Sequence, residues 1–225
     1  MQFEVSIKMN EKLYLRDPQS SSLGKSIVKE ALLLINEIGF EEFTFKKLAQ
    51  HIKTTEASIY RYFENKHKLL VYLIAWYWSY MEYKIVFGIQ NIKNAEEKLK
   101  LIVNLLVNPE KIKLSNQSLD EKNLNKLVVE EGSKSYLTKH ITEENKDKLF
   151  KPYKDLCALF SSIISEYDPT FKFPQSLATT IIETSHSHKF YSTNLPALSN
   201  IKSGDNKKLT EYLEILIFSA LKRKI

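Results

Sequence analysis

The sequence contains few residues that break helices and few that cross-link a fold. Its 225 residues include 5 glycines and 6 prolines, too few for the many tight turns of a β-sandwich or β-barrel. The single cysteine, Cys157, excludes an internal disulfide and a cysteine-based metal cage, and its apolar neighbours predict a buried thiol. Helix-forming residues are abundant, so the predicted fold class is all-α.

Long apolar runs are also missing. No stretch of about 18 apolar residues is present to span a bilayer. Glu4 and Lys8 interrupt the N-terminal segment, where a secretory signal needs an unbroken apolar region. We therefore expect a cytoplasmic protein without a membrane partner. The 33 basic and 27 acidic residues give a net charge of +6, which permits a polyanionic partner without requiring one.

Apolar residues with helical spacing predict about nine helices. The first covers residues 25–38 and is closed by Gly39, and the fourth runs from Lys66 to about Phe87, where Gly88 ends it. Two short helices lie between them. Further helical patterns cover residues 95–107, 119–133, 143–166, 175–190 and 206–222. Residues 1–22 have no such pattern and are interpreted as an arm.

The stretch between Thr44 and Lys66 is the most informative part of the chain. Thr44 and Thr55 each stand before a short apolar run with helical spacing, as helix N-caps do. Between the two caps there is room for about two turns of helix and a short connection. This is the size of a helix-turn-helix motif, whose second helix enters the major groove of DNA.

Residues 24–70 resemble the DNA-binding domain of the tetracycline-repressor (TetR) family of bacterial transcription regulators. Gly39-Phe40 matches the Gly-Phe that ends helix one in that family, and Leu48-Ala49 takes the place of its Ile-Ala. Residues 59–66, Ile-Tyr-Arg-Tyr-Phe-Glu-Asn-Lys, are similar to its Leu-Tyr-x-Tyr-Phe-x-x-Lys signature. The match covers about a fifth of the chain and keeps its spacing throughout.

Two positions depart from the family pattern. Lys53 and Thr54 stand in the turn where the family usually has Gly and Val, and a lysine with a positive φ angle carries a modest strain. Glu56 occupies the first exposed position of the second helix, where a basic or amide residue is common, and Ala57 replaces a frequent glycine. A glutamate can accept a hydrogen bond from cytosine but repels phosphate, so these departures bear on base preference.

The resemblance implies a three-part chain and a function. Residues 1–22 would form an N-terminal arm, residues 23–68 the helix-turn-helix DNA-binding domain, and residues 69–225 a larger helical domain for ligand binding and dimerisation. Such a protein is not an enzyme and needs no cofactor or metal. It binds a pseudo-palindromic double-stranded DNA operator as a homodimer, and we expect a repressor that a small, largely apolar effector releases.

The resemblance also implies roles for individual residues. The DNA-binding residues would be Thr44, Lys46, Thr55, Glu56, Ala57, Ser58, Tyr60, Arg61, Tyr62 and Lys66. Hydroxyls at helix N-termini lie beside free backbone N–H groups, which favour phosphate, and an arginine is the commonest partner of guanine. Helical spacing leaves a second interpretation open for Tyr62, which is a core position.

The rest of the chain offers candidates for an effector pocket and a dimer interface. The aromatic residues predicted to line a pocket are Tyr72, Trp76, Tyr80, Tyr83 and Phe160, although the same spacing is typical of core packing. The residues predicted to form a four-helix dimer interface are Ile181, Leu209, Leu213, Leu216, Ile217 and Ala220. These apolar stripes also fit burial within one subunit.

Two alternative functions are open at this stage. The pairs Glu64-x-x-His67 and Glu183-x-x-His186 have the spacing that carboxylate-bridged di-iron bundles use, although Glu64 and His67 lie among polar residues. The second alternative is a protein-interaction module, in which the helix pair binds another protein instead of DNA.

Overall fold

The computed structural model describes residues 7–112, 119–139 and 141–222, so the first six residues of the predicted arm lie outside it. Within these ranges every regular element is helical, which confirms the all-α prediction. The α-helices are α1 Ser22–Glu42, α2 Phe45–His51, α3 Glu56–Tyr60, α4 Lys66–Ile89, α5 Ala95–Val107, α6 Glu121–Glu131, α7 Ile141–Lys146, α8 Lys151–Tyr167, α9 Pro174–Asn194 and α10 Asn206–Lys222. No helix in the described residues is long and apolar enough to cross a membrane.

The chain forms two compact units. The first takes in the described residues of Met1–Ser79 and Leu114–Pro152, and the second those of Tyr80–Lys113 and Tyr153–Ile225. The predicted division into arm, DNA-binding domain and sensing domain concerns function, and it stays a prediction.

Local sequence explains most helix boundaries. Helix α5 and helix α10 have the predicted limits, and α1 is interrupted at Gly39, whose φ is 78°. The predicted helix 143–166 is divided into α7 and α8. The backbone turns at Lys148, where φ is 60°, and two hydrogen bonds, Lys148 N to Asn145 O and Leu149 N to Glu144 O, close α7 as a Schellman motif.

The first unit is built around α1, which contacts residues from both ends of the unit. Helix α6 lies along α1, and Asn36 donates a hydrogen bond to the backbone oxygen of Asn123 at 2.8 Å. At the other side the short 3₁₀ turn Pro18–Ser20 packs on Gly24. A Cβ atom at Gly24 would lie 2.3 Å from the Pro18 carbonyl oxygen, so glycine is required at this position.

The second unit has an apolar core formed by α5, α8, α9 and α10. Leu99, Ile102, Leu106 and Phe160 are among its buried side chains. Cys157 is 3% exposed, which confirms the predicted buried thiol. Burial raises the pKa of this thiol above its ordinary value, while a hydrogen bond from Thr179 opposes the rise.

Candidate nucleic-acid interface

Helices α2 and α3 form the predicted helix-turn-helix. The Thr44 hydroxyl accepts a hydrogen bond from the Lys47 backbone N–H at 3.2 Å, and the Thr55 hydroxyl accepts one from the Ser58 N–H at 3.2 Å. Both threonines have extended backbone conformations, as N-cap residues do. The Ser58 hydroxyl is 2.9 Å from the Thr55 hydroxyl, so Ser58 supports the cap of α3.

The turn between the two helices is a Schellman motif that ends α2. Lys53 N donates to Gln50 O at 3.3 Å, and Thr54 N donates to Ala49 O at 2.9 Å. Lys53 therefore occupies the left-handed position, with φ of 54°, where glycine is usual. Because its Cβ clashes with the backbone in this conformation, the turn is strained by about 1 kcal/mol.

One face of α3 is buried and the other is exposed. Ile59 and Phe63 have no exposed surface. Helix α3 packs on α2, whose Phe45 and Leu48 are also buried. On the outer face the exposed side chains are Thr55, Glu56, Ala57, Tyr60 and Arg61. Apolar residues thus fix the helix to the domain while a polar and mostly small surface faces outward.

Tyr60 and Arg61 lie at the end of this exposed face. The Tyr60 ring is 48% exposed and packs edge-to-face on Phe45 with 5.0 Å between ring centroids, so its position is fixed although its surface is open. Arg61 and Lys46 are both exposed. Among the described residues neither has a carboxylate partner, whereas Lys47 pairs with Glu42 at 3.2 Å.

Tyr62 lies in the core, in agreement with the second interpretation of its helical spacing, which was a core position. The side chain is 3% exposed, and its hydroxyl is 2.7 Å from the Ser21 hydroxyl at the start of α1. A phosphate contact would require this buried hydroxyl to leave its partner. The structure therefore gives Tyr62 a role in packing α1 against α3, and the sequence did not indicate Ser21 as its partner.

Lys66 is also engaged inside the domain. Its ammonium donates hydrogen bonds to the backbone oxygens of Phe40 at 2.9 Å, Glu41 at 3.0 Å and Phe43 at 3.0 Å. The same ammonium lies 4.7 Å from the centre of the Phe40 ring. All three of its N–H groups are used to satisfy carbonyls at the end of α1, so the predicted phosphate contact would require this side chain to give up at least one of these bonds.

The aromatic residues predicted to line an effector pocket fall into different environments. Tyr72 is buried in the first unit, where its ring packs on Phe63 at 5.4 Å, and burial raises its pKa to about 12. Trp76, Tyr80 and Phe160 are buried, whereas Tyr83 is 44% exposed. Two surface clefts, of about 650 Å³ along α9 and about 360 Å³ beside α7, are lined by other residues.

The residues predicted for the dimer interface are mostly inside the second unit. Ile181, Leu209, Leu213 and Ile217 are at most 2% exposed, so they pack α9 and α10 within one subunit. Leu216 and Ala220 are partly exposed, and Ile215 on the same helix is 56% exposed. The outer surface of α9 and α10 therefore keeps two of the predicted residues, Leu216 and Ala220, and adds neighbouring positions such as Ile215 that the sequence pattern did not single out.

The second unit contains basic groups with strongly shifted pKa values. Burial, with a smaller effect of Lys189, lowers the pKa of His186 to about 3, and His186 Nδ1 lies 2.9 Å from the Ile182 backbone oxygen. Burial likewise lowers the pKa of Lys189 to about 8. Its ammonium donates to the Leu106 backbone oxygen at 3.3 Å, at the carboxyl end of α5, where a cation is favoured.

The side chains of the two Glu-x-x-His pairs have other partners. His67 Nε2 lies 3.0 Å from a carboxylate oxygen of Glu144. Glu183 accepts a hydrogen bond from the Tyr153 hydroxyl, and His186 faces a backbone oxygen. Within the described residues no group of three or more histidine, cysteine, aspartate or glutamate side chains is placed to hold a metal ion.

Comparison with known proteins adds a family and a set of similar folds. The profile of the family described as bacterial regulatory proteins, tetR family, matches residues 27–73. No curated protein sequence matches the chain.

Among solved structures, the fatty acid degradation regulator FadR from Bacillus halodurans has 19% identity, covers 88% of this chain and 96% of its own, and gives a TM-score of 0.62. A tetR-family regulatory protein from Rhodococcus RHA1 has 14% identity, 91% and 100% coverage, and a TM-score of 0.64. AibR in complex with isovaleryl coenzyme A and operator DNA has 16% identity, 86% and 97% coverage, and a TM-score of 0.58. At these identities the likeness establishes a shared fold.

Proposed function

Because the chain belongs to the tetR family of bacterial regulatory proteins, we propose that it is a ligand-responsive transcriptional repressor of the bacterial cytoplasm. It binds a pseudo-palindromic operator as a homodimer, and a small molecule releases it. The observation that carries this proposal is the exposed face of α3, which is held to the domain by the buried side chains of Ile59 and Phe63.

Contacts to DNA are assigned to the exposed side chains of the helix-turn-helix. Lys46, Thr44, Thr55 and Tyr60 contact phosphates, which fix the register of the protein on the duplex. Arg61 reaches a base edge in the major groove, where a guanidinium binds guanine with two hydrogen bonds. Glu56, Ala57 and Ser58 lie near base edges. Glu56 favours cytosine in the site, because the cytosine amino group donates a hydrogen bond to a carboxylate, whereas acceptor atoms on other bases repel it.

A single α3 covers only a few base pairs, so useful specificity requires two copies of the motif. We assign the dimer interface to the outer surface of α9 and α10, which carries Ile215, Leu216 and Ala220 together with small polar residues of α9. Self-association through these two helices from each subunit forms a four-helix contact.

The effector is assigned to the second unit, whose interior is largely apolar and contains Tyr80 and Phe160. AibR, a similar fold, has been crystallised with isovaleryl coenzyme A and operator DNA, which supports a small-molecule response in this chain. Release from DNA requires only that the effector bind one spacing of the two DNA-binding domains more tightly than the other.

Selection of bound sequences from a random DNA pool tests the proposal directly. We expect a two-fold symmetric site whose half-sites lie about one helical turn apart. Arg61→Ala should weaken binding to this site by about tenfold and relax the preference at one base pair in each half-site. Lys100→Ala, which removes an exposed cation from α5 in the second unit, is the matched control and should bind as the wild type does.

Three results would contradict the proposal. Failure of the wild-type protein to enrich any sequence, even at low salt where phosphate contacts are strongest, would favour a protein-interaction module. A monomer in sedimentation equilibrium at micromolar concentration would contradict the dimer, and raised expression from the operator on addition of the protein would contradict repression.

A further inference from the structure

We infer that Arg16, in the N-terminal segment, is a further DNA-contacting residue that Tyr62 holds beside the end of α3. The inference rests on the proposed DNA-binding function and extends its contact surface to a segment outside the helix-turn-helix. Residues 9–21, called the strap below, contain only two short 3₁₀ turns, Glu11–Leu13 and Pro18–Ser20.

The strap is packed on the domain at its start. Met9 and Leu13 are 7% and 1% exposed, as core residues are. The Asn10 side chain donates to the Asp147 backbone oxygen at 2.8 Å, and the Lys12 ammonium lies 2.5 Å from an Asp147 carboxylate oxygen. This part of the segment is therefore fixed to the turn that follows α7.

The middle of the strap is bonded to Tyr62, which follows helix α3 and its C-cap Arg61. Leu15 N donates to the Tyr62 backbone oxygen at 2.8 Å, and the Arg16 guanidinium carbon lies 5.4 Å from the centre of the Tyr62 ring. The Ser21 hydroxyl bonds the Tyr62 hydroxyl from the other end. Three strap residues thus converge on Tyr62, the direct neighbour of Arg61.

The charges of the strap distinguish Arg16 from the other cations. Lys8, directly before the strap, lies 3.9 Å from Glu11, and Lys12 is paired with Asp147. Arg16 is exposed and has no carboxylate partner among the described residues. The next residue, Asp17, carries the opposite charge to Arg16. Its carboxylate accepts a hydrogen bond from the Gln19 backbone N–H at 2.8 Å and so caps the 3₁₀ turn.

Stacking on an aromatic ring leaves the edge of a guanidinium free. The N–H groups of that edge match the geometry of a phosphate, which they bind with two parallel hydrogen bonds. A side chain already held by Tyr62 also loses less conformational freedom on binding. Arg61 is assigned to the major groove, and Arg16 is held against the next residue, Tyr62. We therefore assign Arg16 to the phosphate backbone that borders the groove.

The test compares Arg16→Ala, Arg16→Lys and the control Lys100→Ala, an exposed cation of the second unit, in titrations of a selected operator and of random duplex DNA at several salt concentrations. A phosphate contact carries no sequence information. We therefore expect Arg16→Ala to weaken binding to both DNAs by about tenfold and to reduce the slope of log K against log salt by about one. Arg16→Lys should keep the wild-type slope, and Lys100→Ala should keep the slope and the affinity.

The outcomes separate this inference from the proposed function. If Arg61→Ala weakens operator binding and Arg16→Ala changes neither affinity nor slope, the inference is wrong while the function stands. If both Arg16 variants weaken binding with an unchanged salt slope, the arginine acts only by holding the strap in place, which also overturns it. If the wild-type protein binds no DNA at all, the proposed function itself fails.

Discussion

Replacement of Lys66 by methionine tests whether this residue stabilises the domain or binds DNA. Methionine keeps an unbranched apolar stem beside the Phe40 ring but removes the ammonium. The backbone oxygens of Phe40, Glu41 and Phe43 then lose a donor that now lies 2.9–3.0 Å away. Phe40 and Phe43 are buried residues, so water replaces the donor poorly at two of the three oxygens.

The expected loss follows from the kind of bond removed. A hydrogen bond to a charged group contributes about 1.5–3 kcal/mol, and an acceptor left unsatisfied in the interior costs about 1–3 kcal/mol. The three bonds share one ammonium and one of them is exposed, so their contributions are not additive. We expect Lys66→Met to lower the free energy of unfolding by about 3 kcal/mol, a large part of the 5–15 kcal/mol of an ordinary domain.

Lys46→Met is the matched control for this substitution. It also removes a lysine ammonium near the helix-turn-helix, but Lys46 is exposed on α2 and its loss should change stability by less than about 0.5 kcal/mol. Urea titrations followed by circular dichroism measure the unfolding free energies, and salt-dependent DNA titrations measure phosphate contacts. The two variants should change different quantities. Lys66→Met should lower the free energy of unfolding, and Lys46→Met should lower the salt slope of DNA binding. An unchanged urea midpoint for Lys66→Met, together with a lower salt slope, would refute this reasoning.

Two further predictions concern a strained turn and a buried base. Lys53→Gly should raise the free energy of unfolding by about 1 kcal/mol, because glycine adopts φ of 54° without a clash; the control Lys53→Ala keeps the strain and should leave thermal unfolding unchanged. A lower melting temperature for Lys53→Gly would contradict this. The folded protein keeps His186 neutral down to pH of about 3, whereas the unfolded chain binds a proton below about 6.5, so stability should fall as pH drops through this window. Between pH 7 and pH 5 the wild type should lose about 2 kcal/mol more than His186→Gln. Equal losses for wild type and His186→Gln in urea titrations would disprove the assignment.

The sequence predicted well those features that depend on neighbouring residues. Thr44 and Thr55 cap their helices because a cap is made by a side chain and a backbone N–H three residues away. The interruption at Gly39 and the limits of α5 and α10 have equally local causes. The division of α7 from α8 was missed because Lys148 takes a left-handed conformation that glycine, and not lysine, normally indicates.

Features that depend on distant partners could not be predicted. Spacing allowed a core position for Tyr62, but its partner, the Ser21 hydroxyl, lies 41 residues away along the chain. The Phe40 carbonyl bound by Lys66 lies 26 residues away. Spacing identified Ile181 and Leu213 as apolar faces, but only packing shows that these faces turn inward. The conformation of residues 9–21 likewise depends on contacts with Tyr62 and Asp147, which are distant in sequence.

The bonds of Lys66 also have a mechanical meaning. Lys66 is the first residue of α4, and its ammonium donates hydrogen bonds to the carbonyl oxygens of Phe40 and Glu41 in the last turn of α1 and of Phe43 directly after it. A displacement of the first turn of α4 would therefore strain these hydrogen bonds unless the end of α1 moved with it. The start of α4 and the end of α1 are thus joined by one side chain as well as by the intervening backbone, and any variant of Lys66 changes both helices at once.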